Sequence, residues 1–418
     1  MPAVRVAILH YSVPPVVGGV ESVIQAHARL LRQAGHAVMV LAGDGDAHAL
    51  PAGTEFVRIP ELSTRHADIV RASLELEQGH LPLSFEHLVS NLESRLASVF
   101  QSVDRVIVHN IFTKHFNLPL TGALANLLDK GRLPGCIAWC HDFTWTSTHS
   151  RSKVFPGYPW DLLRTPRQDV HYVTVSQSRQ KELADLFGTP AERIEVIYNG
   201  VDPQEVLGLS DPGLALIDRL GLWEADLILL MPVRVTQAKN IELAIRLAAA
   251  LKQFRIHPKI ILTGPPDPHD QNNMAYFQDL VALRHELDVD QEMLFVYENG
   301  ADADQAYTVD MRVVGDLYRV SDALFMPSHR EGFGMPILEA GLVGLPVFCT
   351  RIPAAVELAG QDAVTFSAEA GPGEIADLIM NWVGGSPAWR LRRRVRQGLT
   401  WQSIFSGAIL PLLQKGLP

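Results

Sequence analysis

Short apolar runs alternate with helical patterns from one end of the chain to the other, and this alternation restricts the possible folds more than any other feature. In the first half the runs are Val4–Leu9, Val38–Leu41, Val106–His109, Ile137–Cys140 and Tyr172–Val175. In the second half they are Leu227–Val233, Lys259–Thr263, Leu294–Tyr297, Ala323–Met326 and Val347–Cys349. Each is of strand length and bounded by turn residues. After the first run, Val20, Val23, Ile24, His27, Leu30 and Leu31 recur at helical spacing and give a helix one apolar face. Apolar strands separated by helices assemble as parallel sheets covered on both faces. At 418 residues the chain exceeds one such domain, and two are expected. Asn199-Gly200-Val201-Asp202-Pro203 and the polar stretch to Asp211-Pro212 read as the linker between them. The expected fold class is therefore α/β: two doubly wound, Rossmann-like domains facing a cleft, with ligands beyond the carboxyl ends of the strands.

Composition narrows the partners. Hydrophobic residues make up 47% of the chain, enough for two large cores, and the formal net charge of −10 gives no general pull toward nucleic acid. The three cysteines form no disulfide framework. Cys136 and Cys140 flank a strand and Cys349 lies far away, so they read as buried reduced thiols rather than a zinc site. The chain enters its first strand at Val4, with no targeting segment and no apolar run of membrane-spanning length, so a soluble cytoplasmic protein is expected. The basic run Arg390, Arg392, Arg393, Arg394 and Arg396 reads as a solvated helix face, with peripheral contact to anionic lipid as the alternative.

The chemistry is concentrated in Ser328-His329-Arg330-Glu331-Gly332-Phe333-Gly334-Met335-Pro336-Ile337-Leu338-Glu339-Ala340. Glu331 falls on a strand-to-helix turn, and Pro336 suits the first turn of the helix that carries Glu339. Gly332 and Gly334 allow a ligand to approach the backbone, and the free N–H groups of the helix start favour an anion. A carboxylate can accept two hydrogen bonds from a vicinal diol. Two carboxylates flanking an anion cradle thus suit a diol, a diphosphate and a second diol in one molecule, as in a sugar nucleotide.

This stretch resembles the Glu-x7-Glu signature of retaining glycosyltransferases of the GT-B fold, family four. The resemblance covers nearly the whole chain and is strongest from Tyr318 to Pro353. It implies that Glu331 contacts the donor sugar, that Glu339 holds the ribose, and that the backbone of Gly332, Phe333, Gly334 and Met335 binds sugar and diphosphate. Companion motifs agree with it. Gly18-Gly19-Val20-Glu21 matches a glycine loop that approaches the donor diphosphate and the acceptor. Arg234 and Lys239, five residues apart after the first strand of the second half, match the cations that neutralise the leaving diphosphate. His141, followed by Asp142, matches a histidine facing the donor sugar. The segments around Ser176, a helix N-cap, and Tyr198, where relatives carry proline, resemble the hinge region. Two features depart from the family. Tyr297-Glu298 replaces a usual glycine near the base, and Asn299 to Arg312 forms a longer polar insertion. Asp302-Ala303-Asp304 in that insertion and Asp44-Gly45-Asp46 mimic an Asp-x-Asp metal motif but read as solvated loop acids.

The resemblance implies three segments: an acceptor-binding domain over 1–202, a nucleotide-sugar domain over 203–388, and C-terminal helices over 389–418 that cross back to the first domain. It also implies a retaining, metal-independent hexosyltransferase. The donor is a UDP- or GDP-linked hexose, glucose or mannose, and no cofactor is required. The expected acceptor is a small polar molecule or carbohydrate, contacted by His109, Asn110, Lys114 and Arg151, with His115, Lys153, Tyr158, Trp160 and Arg164 also in its region. Two alternatives remain at this level. One is a GT-B relative with other chemistry, a phosphorylase or sugar-nucleotide epimerase; the other is a non-catalytic nucleotide-sugar sensor.

Overall fold

The computed structural model of the chain describes residues 3–16, 18–266, 273–300 and 307–415. The chain divides into two compact units, one comprising Met1–Gly200 with Trp401–Pro418, the other Val201–Thr400. The strands of the first unit are β1 (Arg5–Leu9), β2 (Ala37–Ala42), β3 (Glu55–Arg58), β4 (Arg105–His109), β5 (Cys136–Cys140), β6 (Val170–Thr174) and β7 (Glu195–Val196). They pair in parallel in the order β3-β2-β1-β4-β5-β6-β7. The helices between them are α1 (Gly19–Gln33), α2 (Ala67–Leu76), α3 (Phe85–Phe100), α4 (Leu118–Asp129) and α5 (Gln177–Phe187). The order reverses between β1 and β4, so the loops after these two strands diverge and leave the crevice typical of such sheets.

The second unit repeats the plan. Its strands β8 (Leu227–Met231), β9 (Pro258–Leu262), β10 (Met293–Phe295), β11 (Ala323–Met326), β12 (Val347–Thr350) and β13 (Val364–Phe366) form a parallel sheet in the order β10-β9-β8-β11-β12-β13. Its helices are α6 (Pro203–Leu207), α7 (Asp211–Arg219), α8 (Ile241–Lys252), α9 (Asn273–Glu286), α10 (Met311–Val320), α11 (Met335–Leu342), α12 (Pro353–Ala359), α13 (Pro372–Gly385) and α14 (Pro387–Gly398). Strand β8 shows why the pattern folds this way. Leu227, Leu229 and Met231 join the core under α8 and α13, while Ile228 and Leu230 join the opposite core under α7 and α10. Both faces are covered, so every residue of the strand is apolar. The order of this sheet reverses between β8 and β11.

Several expectations change. Strands β3, β7 and β13 are absent from the apolar pattern because each lies at a sheet edge, where only part of the strand is buried. The stretch read as a linker contains α6, capped by Asp202, and Val201 N donates to Leu399 O within the second unit. Helix α14, expected in a returning segment over 389–418, belongs to the second unit, and only the chain from Trp401 onward belongs to the first. The basic run on α14 is not a solvated face. Arg396 reaches buried Asp322 at 3.0 Å, Arg393 donates to Asp226, and Arg392 donates to the Arg319 carbonyl. Arg390 and Arg394 alone of the five are exposed. Beyond them, Trp401–Gln414 is helical with a π-helical turn at Phe405–Ile409. Pro411, just after that turn, has no N–H to continue the regular ladder.

The three thiols are buried and unpaired, as expected, and burial pushes Cys140 up to about 12 and Cys349 to about 11. Asp46 caps a short turn at Ala47–Ala49, and Asp44 sits 3.6 Å from Arg65. Asp302 and Asp304 lie outside the described residues. The insertion ends at Asp310, which caps α10, so Arg312 is helical rather than loop. No described helix is long and apolar enough to cross a membrane.

Candidate active site

In the second unit the loops after β8 and β11 meet at the strand-order reversal. His329 N donates to the Ala238 carbonyl at 2.9 Å and stitches the two loops together. The side chains on either side of this stitch then pair. Lys239 Nζ donates to Glu331 Oε2 at 2.6 Å, and Ser328 Oγ donates to Glu331 Oε1 at 2.6 Å. Both oxygens of Glu331 are engaged, and its side chain is only 8% exposed. Lys239 lies in the short turn Gln237–Lys239, and Asn240 in a left-handed conformation sends the chain into α8. Arg234 is exposed, and among the described residues it has no ion pair.

Gly334 caps α11 at φ 101°, a conformation that strains any residue with a side chain. Pro336 occupies the first turn, as expected, and Glu339 follows on the next. Tyr318 on α10 donates its hydroxyl to Glu339 Oε2 at 2.7 Å. Burial and the adjacent carboxylate raise the Tyr318 pKa, so the phenol remains a donor. This leaves Oε1 of Glu339 without a partner among the described residues. Gly332, Phe333 and Met335 are exposed on the loop between the two carboxylates. The constellation offers two fixed carboxylates, a cation already paired with one of them, a second cation with no ion pair among the described residues, and a helix start. Glu298 is held by Arg284 at 2.7 Å.

In the first unit, Gly18 stands just before α1, and a Cβ there would fall 2.1 Å from Glu21 Oε2. Glycine is therefore required to admit the buried Glu21 carboxylate, which also accepts from Ser12 Oγ at 2.7 Å. Gly19 has no neighbour within 4 Å of a Cβ position. A row of histidines fills the space beyond β1, β4 and β5. His10 Nδ1 donates to the His109 carbonyl at 3.0 Å, and His109 Nδ1 meets His141 Nε2 at 3.1 Å. The last two rings stack at 5.4 Å. His27 lies behind them, fully buried, edge-on to Trp139 at 4.5 Å and to Trp401 at 5.6 Å.

Three residues expected at the acceptor make contacts within the first unit. His109 is fully buried, and among the described residues its ring meets His141, His10 and the rings around them. Asn110, at φ 61°, accepts from the backbone N–H of His141 at 2.8 Å and of Asp142 at 3.2 Å, so its side chain brackets that loop. Arg151 stacks over Trp145 at 4.5 Å and donates to the Val154 carbonyl. Lys114 has a buried stem and no ion pair among the described residues. Ser328 and Tyr318, which orient the two carboxylates, are the residues that the sequence motifs did not single out.

Burial holds His27 and His141 neutral, lowering each from 6.5 to about 3, with mutual repulsion between nearby histidines as the smaller cause. The unfolded chain binds protons at these sites below pH 6.5 and the folded chain does not. Stability is therefore fully present above about pH 6.5 and falls as pH drops toward about 3, at up to roughly 1.4 kcal/mol per pH unit for each histidine. Urea unfolding at pH 7, 6 and 5 checks this against His27→Leu, whose slope with pH should be shallower. Equal slopes would mean that His27 titrates alike in both states.

Known proteins resemble this chain over both units. Residues 17–205 match the Glycosyltransferase Family 4 model, and residues 216–397 match the Glycosyl transferases group 1 model. An uncharacterised glycosyltransferase of Methanocaldococcus jannaschii is 29% identical over 189 residues, 44% of this chain and 43% of that protein. The mannosylglucosylglycerate synthase of Petrotoga mobilis is 25% identical over 294 residues, 67% of this chain and 66% of that protein. The matched regions thus span less than two thirds of these relatives' own lengths. Among solved structures, a glycosyltransferase from Rickettsia africae aligns over 100% of both chains at 15% identity with a TM-score of 0.39. Two matched models that between them take in both units, together with the Glu331–Glu339 loop, place the chain in glycosyltransferase family four, the retaining glycosyltransferases of the GT-B fold.

Proposed function

We propose that this glycosyltransferase moves a hexose from a UDP- or GDP-linked donor to a hydroxyl of a small polar acceptor, with retention and without a metal ion. The observation that carries the reading is the oriented carboxylate pair: Glu331 clamped by Ser328 and Lys239, and Glu339 clamped by Tyr318. Glu339 takes the ribose diol on its free oxygen. Glu331 takes hydroxyls of the transferred sugar, and the amides around Gly332 to Met335 take the diphosphate. As the glycosidic bond breaks, charge grows on the leaving diphosphate, and Lys239 with the unpaired Arg234 balances it. A donor phosphate oxygen accepts the acceptor proton on the same face of the sugar, which leaves no need for a protein nucleophile. His141 orients the sugar, with its ring fixed by His109. The first unit supplies the acceptor's contacts. A relative whose name speaks of mannose and glucosylglycerate supports a small polar acceptor.

Thermal stabilisation by UDP, GDP and ADP, each with and without magnesium, tests the donor half. A ligand bound at a hundred times its Kd stabilises the folded state by about 2.7 kcal/mol. One nucleotide should raise the melting temperature equally with and without magnesium. No shift with any of the three would overturn the donor assignment.

A further inference from the structure

The cations beyond the carboxyl ends of β4 and β5 are nearly all spoken for. Arg179 holds Asp142 at 3.0 Å and Glu182 at 2.6 Å. Lys153 holds Glu77 at 3.0 Å, and Arg164 holds Asp161 at 2.8 Å. Lys114 differs. It is 7% exposed, more deeply buried than any of these, and among the described residues no carboxylate lies within ion-pair distance. Its ammonium sits 4.9 Å from the centre of the Phe116 ring, a contact weaker than a close ion pair. Asp142 is the carboxylate whose charge acts on it most, and Arg179 already neutralises that group. Burial accordingly lowers the Lys114 pKa, and the Arg179 charge adds to the lowering.

The backbone that carries Lys114 is fixed. Lys114 N donates to the Asn110 carbonyl at 2.9 Å within the turn that leaves β4. The next residue is tied down as well, since His115 N donates to Thr144 Oγ1 at 3.1 Å. The side chain lies near Asp142, on the loop that carries His141. A largely buried lysine whose one influential carboxylate is already paired is suited to an external anion.

We propose that Lys114 seats an anionic group of the acceptor, a carboxylate or a phosphate, so that the acceptor is a sugar acid or a phosphate ester rather than a neutral polyol. This rests on the reading that the first unit binds the acceptor, and it is independent of which nucleotide the second unit holds.

Calorimetric titration at fixed ionic strength tests it with two matched pairs, D-glycerate against glycerol and glucose 6-phosphate against glucose. In the wild-type protein the anionic member of at least one pair should bind about tenfold tighter than its neutral partner, as for a charge-assisted contact. The first pair reads a carboxylate and the second a phosphate. Lys114→Met, which keeps the stem, should bring that ratio to within about twofold of one while UDP affinity stays within about threefold. Lys114→Gln is the second variant should the first fail to fold, and retained UDP binding reports the folded state of either. A wild-type ratio near one in both pairs overturns the proposal, as does a ratio that survives in the variants. Loss of UDP affinity in place of the ratio also overturns it, since Lys114 would then serve the donor diphosphate. Absence of both UDP and GDP binding by the wild type would overturn the donor reading alone, because the paired ratios need no nucleotide; if GDP binds and UDP does not, GDP serves as the folding control.

Discussion

Lys239→Ala should lower the single-turnover rate of sugar transfer by about a hundredfold to a thousandfold at saturating donor, the usual loss when one preorganised electrostatic stabiliser is removed. The reason lies in its partner. Lys239 is bound to Glu331 at 2.6 Å, so one ammonium both fixes the carboxylate expected at the sugar and faces the charge expected on the leaving group. Donor affinity should change less than the rate, because the leaving-group charge develops only in the transition state. The two side chains act as one unit. The double variant Lys239→Met with Glu331→Gln should therefore be no slower than the worse of the two singles. A Lys239→Ala protein that is folded and transfers sugar at a near-normal rate would sink this assignment. Fully additive losses in the double variant would sink the coupling.

The second large effect is on stability and lies at the opposite ends of the same strands. Asp322, just before β11, has a side chain with no exposure, and it accepts from the Ile228 backbone at 2.9 Å and from Arg396 at 3.0 Å. Arg396 also donates to the carbonyls of Ala225 and Asp226, so one guanidinium ties α14 to the amino ends of β8 and β11. Arg396→Ala leaves Asp322 buried with its principal cation gone, at a cost of about 3–5 kcal/mol. Arg394→Ala, on the exposed side of α14, should stay within about 0.5 kcal/mol of wild type. Urea midpoints followed by circular dichroism separate the two. Joint replacement of Asp322 by Leu and Arg396 by Met should restore only part of the loss, because the uncompensated charge is gone while the Ile228 N–H and the Ala225 and Asp226 carbonyls lose these partners. An unchanged midpoint in Arg396→Ala would mean that the network contributes nothing net.

These two networks mark what was legible in the sequence. Strands such as β8 and β11 were plain, because both faces are buried and the run is apolar throughout. Edge strands such as β3 were not, because exposure breaks the run. Glu331 and Glu339 stood out because the chemistry sits on eight consecutive steps of chain with glycines between. Tyr318 did not, because it meets Glu339 from another helix and its sequence signal is only that of a buried helix face. Histidine 109 was legible as a strand-end residue, yet its neighbour His141 comes close only once β4 and β5 pair, with His109 opposite Trp139. The arginines of α14 looked solvated because their carboxylates are distant in sequence, Asp226 by 167 residues from Arg393 and Asp322 by 74 from Arg396.

The helix that begins at Trp401 has a consequence for how the protein is made. Its buried Trp401, Ile404, Phe405, Ile409, Leu412 and Leu413 belong to the first unit, and Trp401 covers the ring of His27. A ribosome delivers residues 1–200 long before it delivers that helix, and the whole of the second unit is synthesised in between. For that interval the nascent first unit carries an uncovered apolar strip over its histidine row, the kind of surface that recruits chaperones or associates with other chains. Completion of the first unit thus waits until the whole second unit has been made, and a polypeptide stopped at residue 200 would keep that strip open permanently.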